Sequence, residues 1–580
     1  HRAERPDVEN YHLTEDLTDQ AIKMVSELKA IAPDKPFFMY YAPVAMHTPH
    51  QAPKEWIDKY KGAFDDGWDV YREKTLARQK EMGLVPENTE LPPREPEVQL
   101  WADLTADQKK LYTRMMEVFA GYLEHTDYHL GRLIDFLEEL GELDNTLIMV
   151  MSDNGASSEG GPNGSVNEWL FFNGIEESVE LNMQYYDKLG GPECYNNYPM
   201  GWTMAGNTPF RRWKKETFNG GISDPMIVSW PQGISARGEL RDQYSHIIDM
   251  VPTLLEVLDI EPPQAIKGVK QSPIEGVSLA HTFNDAEAPT KKETQYYEMF
   301  GQRALWHDGW KAICNYPFGK PVTEEVLAQQ KWELYRVDPG GPEPIDRVEM
   351  NDMAEKYPDI VQALEARWWS EAEEFNVLPL QGGEVARIAN AMEEQGVPER
   401  EEYVYYPNTP EIPENGAANL KNRSHSITAE VVIPEGGAEG VLLAHGGLTA
   451  GYSFYVQDNK LHYVHNFLGL AKYYVHSDAA VPVGDCTLRF ELEKTGPHQG
   501  KGKLFINGDQ VGEAEIEHTV PFLFGINEGL TCGYDNGLPV IKDYEVPFTF
   551  TGNLKRVVVI PHGEVEVYHE KRLEKEMLKD

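Results

Sequence analysis

The sequence predicts an α/β unit, then a small α+β subdomain, then an all-β sandwich. Three observations carry that prediction. Helix, strand, long helix and strand patterns follow one another through the amino-terminal part, the order expected of an α/β sheet. Short strand patterns and a single helix occupy about 293–380. Beyond Ser424, short alternating runs are cut by Gly, Asn and Asp turns, the mark of a sandwich.

The elements follow in order. Thr14 to Ala30 carries Leu17, Ala21, Ile22, Val25 and Leu28 at helical spacing, behind the cap-like Thr14-Glu15-Asp16. Pro36 to Tyr41 reads as a buried strand, closely followed by His47-Thr48-Pro49-His50. The charged, Pro-bearing stretch from Lys54 to Pro96 reads as a surface excursion, with Asp65 and Asp66 as solvated loop. A long helix is predicted from Ala106 to Leu140, with Met115, Val118, Tyr122, Leu130 and Leu137 on its apolar stripe. Thr146 to Met151 is an uncharged run expected as a strand buried on both faces, as in parallel sheets. A polar loop (160–207), a strand at Pro225–Pro231 and a helix at Ile247–Leu258 complete the α/β unit, read as 1–290.

The subdomain is placed at 291–385, with strands at Lys311–Cys314 and Trp332–Tyr335 and a helix at Pro358–Phe375. A linker (386–423) includes the Pro-rich stretch Tyr406–Asn415. The sandwich spans 424–565, and Asn507-Gly508 signals a hairpin within it. A charged tail closes the chain at 566–580.

Composition narrows the function. With 53 basic and 95 acidic residues the formal charge is −42. Such a polyanion repels nucleic acid and acidic lipid, so both are discarded as partners. No apolar run approaches the ~18 residues of a membrane span. The four cysteines (Cys194, Cys314, Cys486, Cys532) are far apart, with no C-x-x-C pairing, zinc pattern or evident disulfide framework. The chain opens at His1-Arg2-Ala3-Glu4 with no initiator Met, and a processed or truncated product is expected.

The strand at 146–151 stops at Ser152-Asp153-Asn154-Gly155. In open α/β sheets ligands collect beyond the carboxyl ends of strands, where Asp153 and Asn154 offer hard oxygens to a cation. The competing reading is a turn, and Tyr534-Asp535-Asn536-Gly537, with no buried strand before it, is read as nothing more. His47 follows a second predicted strand, and Lys214 precedes a third, within Thr208 to Gly221. A divalent cation, a lysine and a histidine around one pocket suit an anionic ester: cation and lysine neutralise its oxygens, and the histidine protonates the leaving alcohol. Against this, one histidine among 18 is more often structural, and Lys214, beside Arg211, Arg212 and Lys215, is more often a solvated face. Calcium also wants about 6–8 oxygens, more than Asp153 and Asn154 supply.

In order along the chain, His47–His50, Ser152–Ala156, Thr208 through Lys214 to Gly221, His246–Leu255 and Trp332–Tyr335 resemble the motifs of the type I sulfatases, specifically the large bacterial arylsulfatases with an appended β-sandwich. The resemblance implies an alkaline-phosphatase-like fold, a mixed central sheet flanked by helices. It implies Ca²⁺ (Mg²⁺ less so), held by two amino-terminal Asp together with Asp153 and Asn154. It further implies a formylglycine nucleophile made from Cys in a C-x-P-S-R motif, Asp153 helping to activate it, and His47 and Lys214 contacting the sulfate and assisting the leaving oxygen. Sulfated small molecules or glycans, and a periplasmic or secreted setting, are implied likewise. None of the four cysteines lies in C-x-P-S-R, and the upstream Asp pair, Lys and His are missing. The reading is therefore a sulfatase fragment without its nucleophile. Asn219 stands where many relatives carry Glu and is read as structural. Two alternatives stay open: a phosphonate or phosphate ester hydrolase of the same fold, and a carbohydrate-binding protein using sandwich aromatics such as Tyr463, Tyr473 and Tyr474.

Overall fold

The computed structural model describes residues 11–316, 322–339, 343–382, 400–525 and 528–563. Helix α1 (Leu13–Ile31) packs on the 34-residue helix α3 (Ala106–Glu139), and helix α2 (Gly67–Glu81) reaches it through Trp68, stacked on Tyr112 at 6.0 Å. A capping box starts α3: Gln108 N donates to Thr105 Oγ1 (3.2 Å) and Thr105 N to Gln108 Oε1 (2.9 Å). Leu111, Met115, Val118 and Tyr122, spaced three and four apart, are buried along it.

Helix α2 corrects the surface excursion read over Lys54–Pro96. Phe64, Trp68 and Leu76 recur at helical spacing, and Trp68 is 2% exposed. Its ring meets Trp101 edge-on at 4.7 Å and Trp202 at 5.8 Å. Exposed Asp65, Asp66, Glu73 and Lys74 lie between them and mask this stripe in the sequence.

Strand β1 (Ile148–Met151) pairs antiparallel with β2 (Met226–Ser229), Met151 opposite Met226. The expectation of a fully buried, parallel strand is corrected: every residue of β1 is half-buried, and Ile227 in β2 is 65% exposed. The strand expected at Pro36–Tyr41 is likewise not formed. That segment alternates half-buried and exposed residues as extended chain does, but no described strand pairs with it. Phe38 and Tyr40 remain 78% and 85% exposed. An apolar run signals a strand's propensity, whereas ladder and burial come from neighbours. After β2 comes helix α4 (Met250–Val257).

The next sheet is four antiparallel strands in sequence order: β3 (Thr294–Met299), β4 (Gln302–His307), β5 (Trp310–Cys314) and β6 (Trp332–Arg336). Alternate residues give it two apolar faces. Leu305, Ala312, Cys314 and Leu334 pack on Leu364 and Trp368 of helix α5 (Pro358–Glu374). Ala304, Ile313 and Tyr335 pack instead on Phe218, at the end of the Lys214 loop.

The sandwich has a six-stranded and a five-stranded sheet. Two adjacent strands of the smaller sheet are β7 (Lys460–Phe467) and β8 (Ala471–Ala480). Asn507 (φ 52°) and Gly508 (φ 96°) make the predicted hairpin turn, with Ile506 opposite Asp509. Tyr463 is core, stacked on Phe490 at 3.4 Å, and so is unable to serve as a sugar platform. The 160–207 segment docks here: Trp169 and Leu170 enter the sandwich core, and Asn173 accepts from Phe522 N (2.9 Å) and Leu523 N (3.0 Å). The charged tail, residues 383–385 of the subdomain as read and residues 386–399 of the linker lie outside the described residues. All four cysteines are buried free thiols.

Candidate functional site

Two segments build the site, one after β1 and one before β2. Their backbones are stitched together: Gly155 N donates to Gly221 O (3.1 Å) and Lys214 N to Ala156 O (3.0 Å). Asn207 braces both, accepting from Ala156 N (2.9 Å) and donating to Arg212 O (3.0 Å). A Cβ on Gly155 would lie 1.8 Å from Gly220 O, so this contact requires glycine. Arg212 (φ 63°) and Lys215 (φ 79°) hold left-handed backbone in the same loop, a strain that the surrounding contacts sustain.

The loop is pinned from behind. Buried Lys311 donates to Asn219 Oδ1 (2.7 Å) and pairs with Glu349 Oε1 (2.6 Å), while Asn219 N donates to Glu349 Oε2 (2.8 Å). Arg211 Nη1 donates to Glu349 O (2.7 Å). Asn219 thus tethers the loop to the four-stranded sheet, the structural role expected of it.

His47 and Lys214 are brought together, Lys214 Nζ lying 3.4 Å from His47 Nε2. Thr48 O is 2.9 Å from His47 Nδ1. A carbonyl only accepts, so the neutral ring carries its proton on Nδ1 and turns the Nε2 lone pair to Lys214. The other histidine of the motif, His50, is buried against Phe119 and Tyr198, and burial lowers its pKa to about 3. His47 faces the site, and His50 is core.

Glu159, which sequence reasoning missed, sits among these cations. Its Oε2 is 3.1 Å from Lys214 Nζ and 4.0 Å from His47 Nε2, and its Oε1 is 3.4 Å from Lys215 Nζ. Ser157 Oγ donates to it at 2.7 Å. Burial alone would raise this carboxyl, but Lys215, Lys214 and Ser157 outweigh it and hold the pKa at about 2. A neighbouring polar cleft of about 370 Å³ is lined by Glu95, Glu97 and the loop from Arg211 to Glu216.

Asp153 and Asn154 lie on the same loop as Glu159, and among the described residues neither side chain hydrogen-bonds to His47 or Lys214. Continuing the β1–β2 register two residues past Met151 and Met226 sets Asp153 opposite Asp224. Burial and then the charge of Asp153 raise the Asp224 carboxyl to about 6. This second missed residue was readable only from the antiparallel register. The oxygen donors Asp153 and Asn154 suit calcium in kind, while their number does not complete its shell. Among the described residues no cluster of three or more His, Cys, Asp or Glu is placed to hold a metal.

The class is thus an α/β protein with a Lys–His cationic pocket beside oxygen donors at a strand end, an arrangement able to bind an anionic ester. Comparison with known proteins narrows this class. Residues 2–260 match the family model described as Sulfatase. An uncharacterized sulfatase of Schizosaccharomyces pombe is 33% identical over 352 residues, 60% of this chain and 60% of that protein. An arylsulfatase of Klebsiella aerogenes is 31% identical over 283 residues, 48% of this chain and 58% of that protein. A crystal structure of a putative sulfatase from Bacteroides fragilis aligns at 17% identity with a TM-score of 0.37, covering 63% of this chain and 60% of that one. The likeness to sulfatases thus rests on residues 2–260, and the chain spans about 60% of the length of these two curated relatives. Among the described residues no helix is long and apolar enough to cross a membrane.

Proposed function

We propose that this chain forms one wall of an arylsulfatase-type site that hydrolyses sulfuric esters of small molecules or glycans, in a periplasmic or secreted protein. The observation that carries the proposal is the pairing of Lys214 Nζ with His47 Nε2 at 3.4 Å within a family-matched segment. Lys214 binds a sulfate oxygen, and His47, once protonated, donates from Nε2 to the departing alkoxide. Asp153 and Asn154 would supply two oxygens to Ca²⁺, which there would neutralise charge on the sulfate. Asp153 would also assist the formylglycine nucleophile that the resemblance implies. The exposed apolar residues Phe38, Tyr40 and Ile227 support a missing neighbour beside β1 and β2.

The test has two arms. Calorimetry with inorganic sulfate should show binding by this chain that Lys214→Ala and His47→Ala each weaken about tenfold, on the order of 1.4 kcal/mol. The chain alone should not turn over a chromogenic aryl sulfate, whereas the longer polypeptide with a C-x-P-S-R motif should, and faster than a phosphate diester. Metal-dependent turnover by the chain alone, or sulfate binding indifferent to both substitutions, defeats the proposal.

A further inference from the structure

The sandwich carries a second arrangement of histidines, remote in sequence from the sulfatase segment. His462 in β7 and His476 in β8 are directly opposed in the antiparallel ladder. Their Nδ1 atoms approach to 2.7 Å, with ring planes at 76°. The carbonyl of Gln457 lies 3.0 Å from His462 Nε2. That contact puts the neutral ring's proton on Nε2 and leaves Nδ1 a bare lone pair aimed at His476. In the resting pair, His476 Nδ1–H donates to it. Moving this one proton to His476 Nε2 leaves a lone pair on each Nδ1 with no change in charge, and a turn of the two rings aims both at one ion.

We propose that His462 and His476 form a two-histidine site for a divalent transition-metal ion, with water completing the coordination. The Gln457 carbonyl is the partner expected behind a metal-binding imidazole, because it fixes tautomer and ring orientation. The rings are also held by stacking: Tyr455 lies against His462 (5.0 Å, 15°) and Tyr474 against His476 (5.6 Å, 21°). His476 is exposed, so an ion reaches the pair from solvent. The net charge of −42 further enriches cations around the protein.

The spacing selects the ion. Two nitrogens about 2.0 Å from a metal are about 2.8 Å apart at a right angle and about 3.3 Å apart at the tetrahedral angle. The observed 2.7 Å is nearer the right-angle span than the tetrahedral one. The site therefore favours tetragonal Cu²⁺ over tetrahedral Zn²⁺. A second pair, His125 and His129, shows the contrast: their Nε2 atoms are 3.1 Å apart, but both residues are buried and Arg132 donates to His129 Nδ1 (2.8 Å). That donation puts the neutral His129 proton on Nε2, so a metal there would need an imidazolate.

The test uses the whole chain with Cu²⁺ alone, buffered by a weak competing chelator, and reads affinity by titration and nitrogen hyperfine structure by electron paramagnetic resonance. One copper equivalent with two imidazole nitrogens is expected. His476→Ala, at an exposed position, should weaken it about tenfold or more at an unchanged melting temperature, as should His462→Ala. Zn²⁺ should bind at least about tenfold more weakly than Cu²⁺. A copper equivalent unaltered by His476→Ala, or no hyperfine signal from two nitrogens, overturns the site; Zn²⁺ binding as tight as Cu²⁺ overturns the assigned geometry.

Discussion

Glu159 Oε2 lies 3.1 Å from Lys214 Nζ, so the cation expected to meet an anionic substrate already has an anionic partner. Lys215 holds the other carboxylate oxygen at 3.4 Å. A sulfate oxygen arriving at Lys214 must share or displace this carboxylate. Glu159→Gln should therefore raise the affinity of the chain for inorganic sulfate by about tenfold, on the order of 1.4 kcal/mol, in calorimetric titration. Unchanged or weaker binding would show that Glu159 orients Lys214 rather than competing for it.

Acid should loosen the fold through two carboxylates. Glu159, and Glu414 paired with Lys421 and His445, both have pKa values held at about 2 against an ordinary 4.5. A carboxyl depressed in the folded state adds stability above its unfolded pKa, and that stability is lost as pH falls through the folded value. The window is therefore from about pH 4.5 down to about pH 2, and each group contributes roughly 2–3 kcal/mol above it. Asp535 works in the opposite sense: burial raises it to about 6, so acidification from pH 7 to 5 favours the folded state there. Urea midpoints of Glu159→Gln/Glu414→Gln should vary less with pH below 4.5 than those of the parent; parallel curves would refute the linkage.

The Lys311–Glu349 pair is fully buried at 2.6 Å and anchors Asn219 behind the Lys214 loop. Lys311→Met leaves Glu349 charged and uncompensated, at a cost of about 3–5 kcal/mol. Lys311→Met/Glu349→Leu should recover part of this loss in urea denaturation. A single variant as stable as the parent would contradict the buried pair.

Trp68 tests the core hidden in the charged stretch 54–96. At 2% exposed and edge-on to Trp101 and Trp202, it should cost about 3–5 kcal/mol on replacement by Ala. A loss below about 1 kcal/mol, the usual scale of surface changes, would restore the surface-excursion reading.

Much of this protein was legible because local rules wrote it. The helix predicted at Ala106–Leu140 is found at Ala106–Glu139, and Lys311–Cys314, Trp332–Tyr335 and the Asn507-Gly508 hairpin also form as read. Periodicity and turn chemistry act over a few residues and survive in a bare sequence. The motifs carrying His47, Asp153, Asn154 and Lys214 were visible for the same reason, and the family match over 2–260 follows them. Only the tertiary structure decided the rest. It left Phe38 and Tyr40 exposed, buried Trp68, and set Asp153 opposite Asp224 through the β1–β2 register. It also placed Glu159 between Lys214 and Lys215, joining charges 55 residues apart in sequence. Burial, register and ion pairing depend on which distant segments become neighbours, and no local pattern encodes that choice.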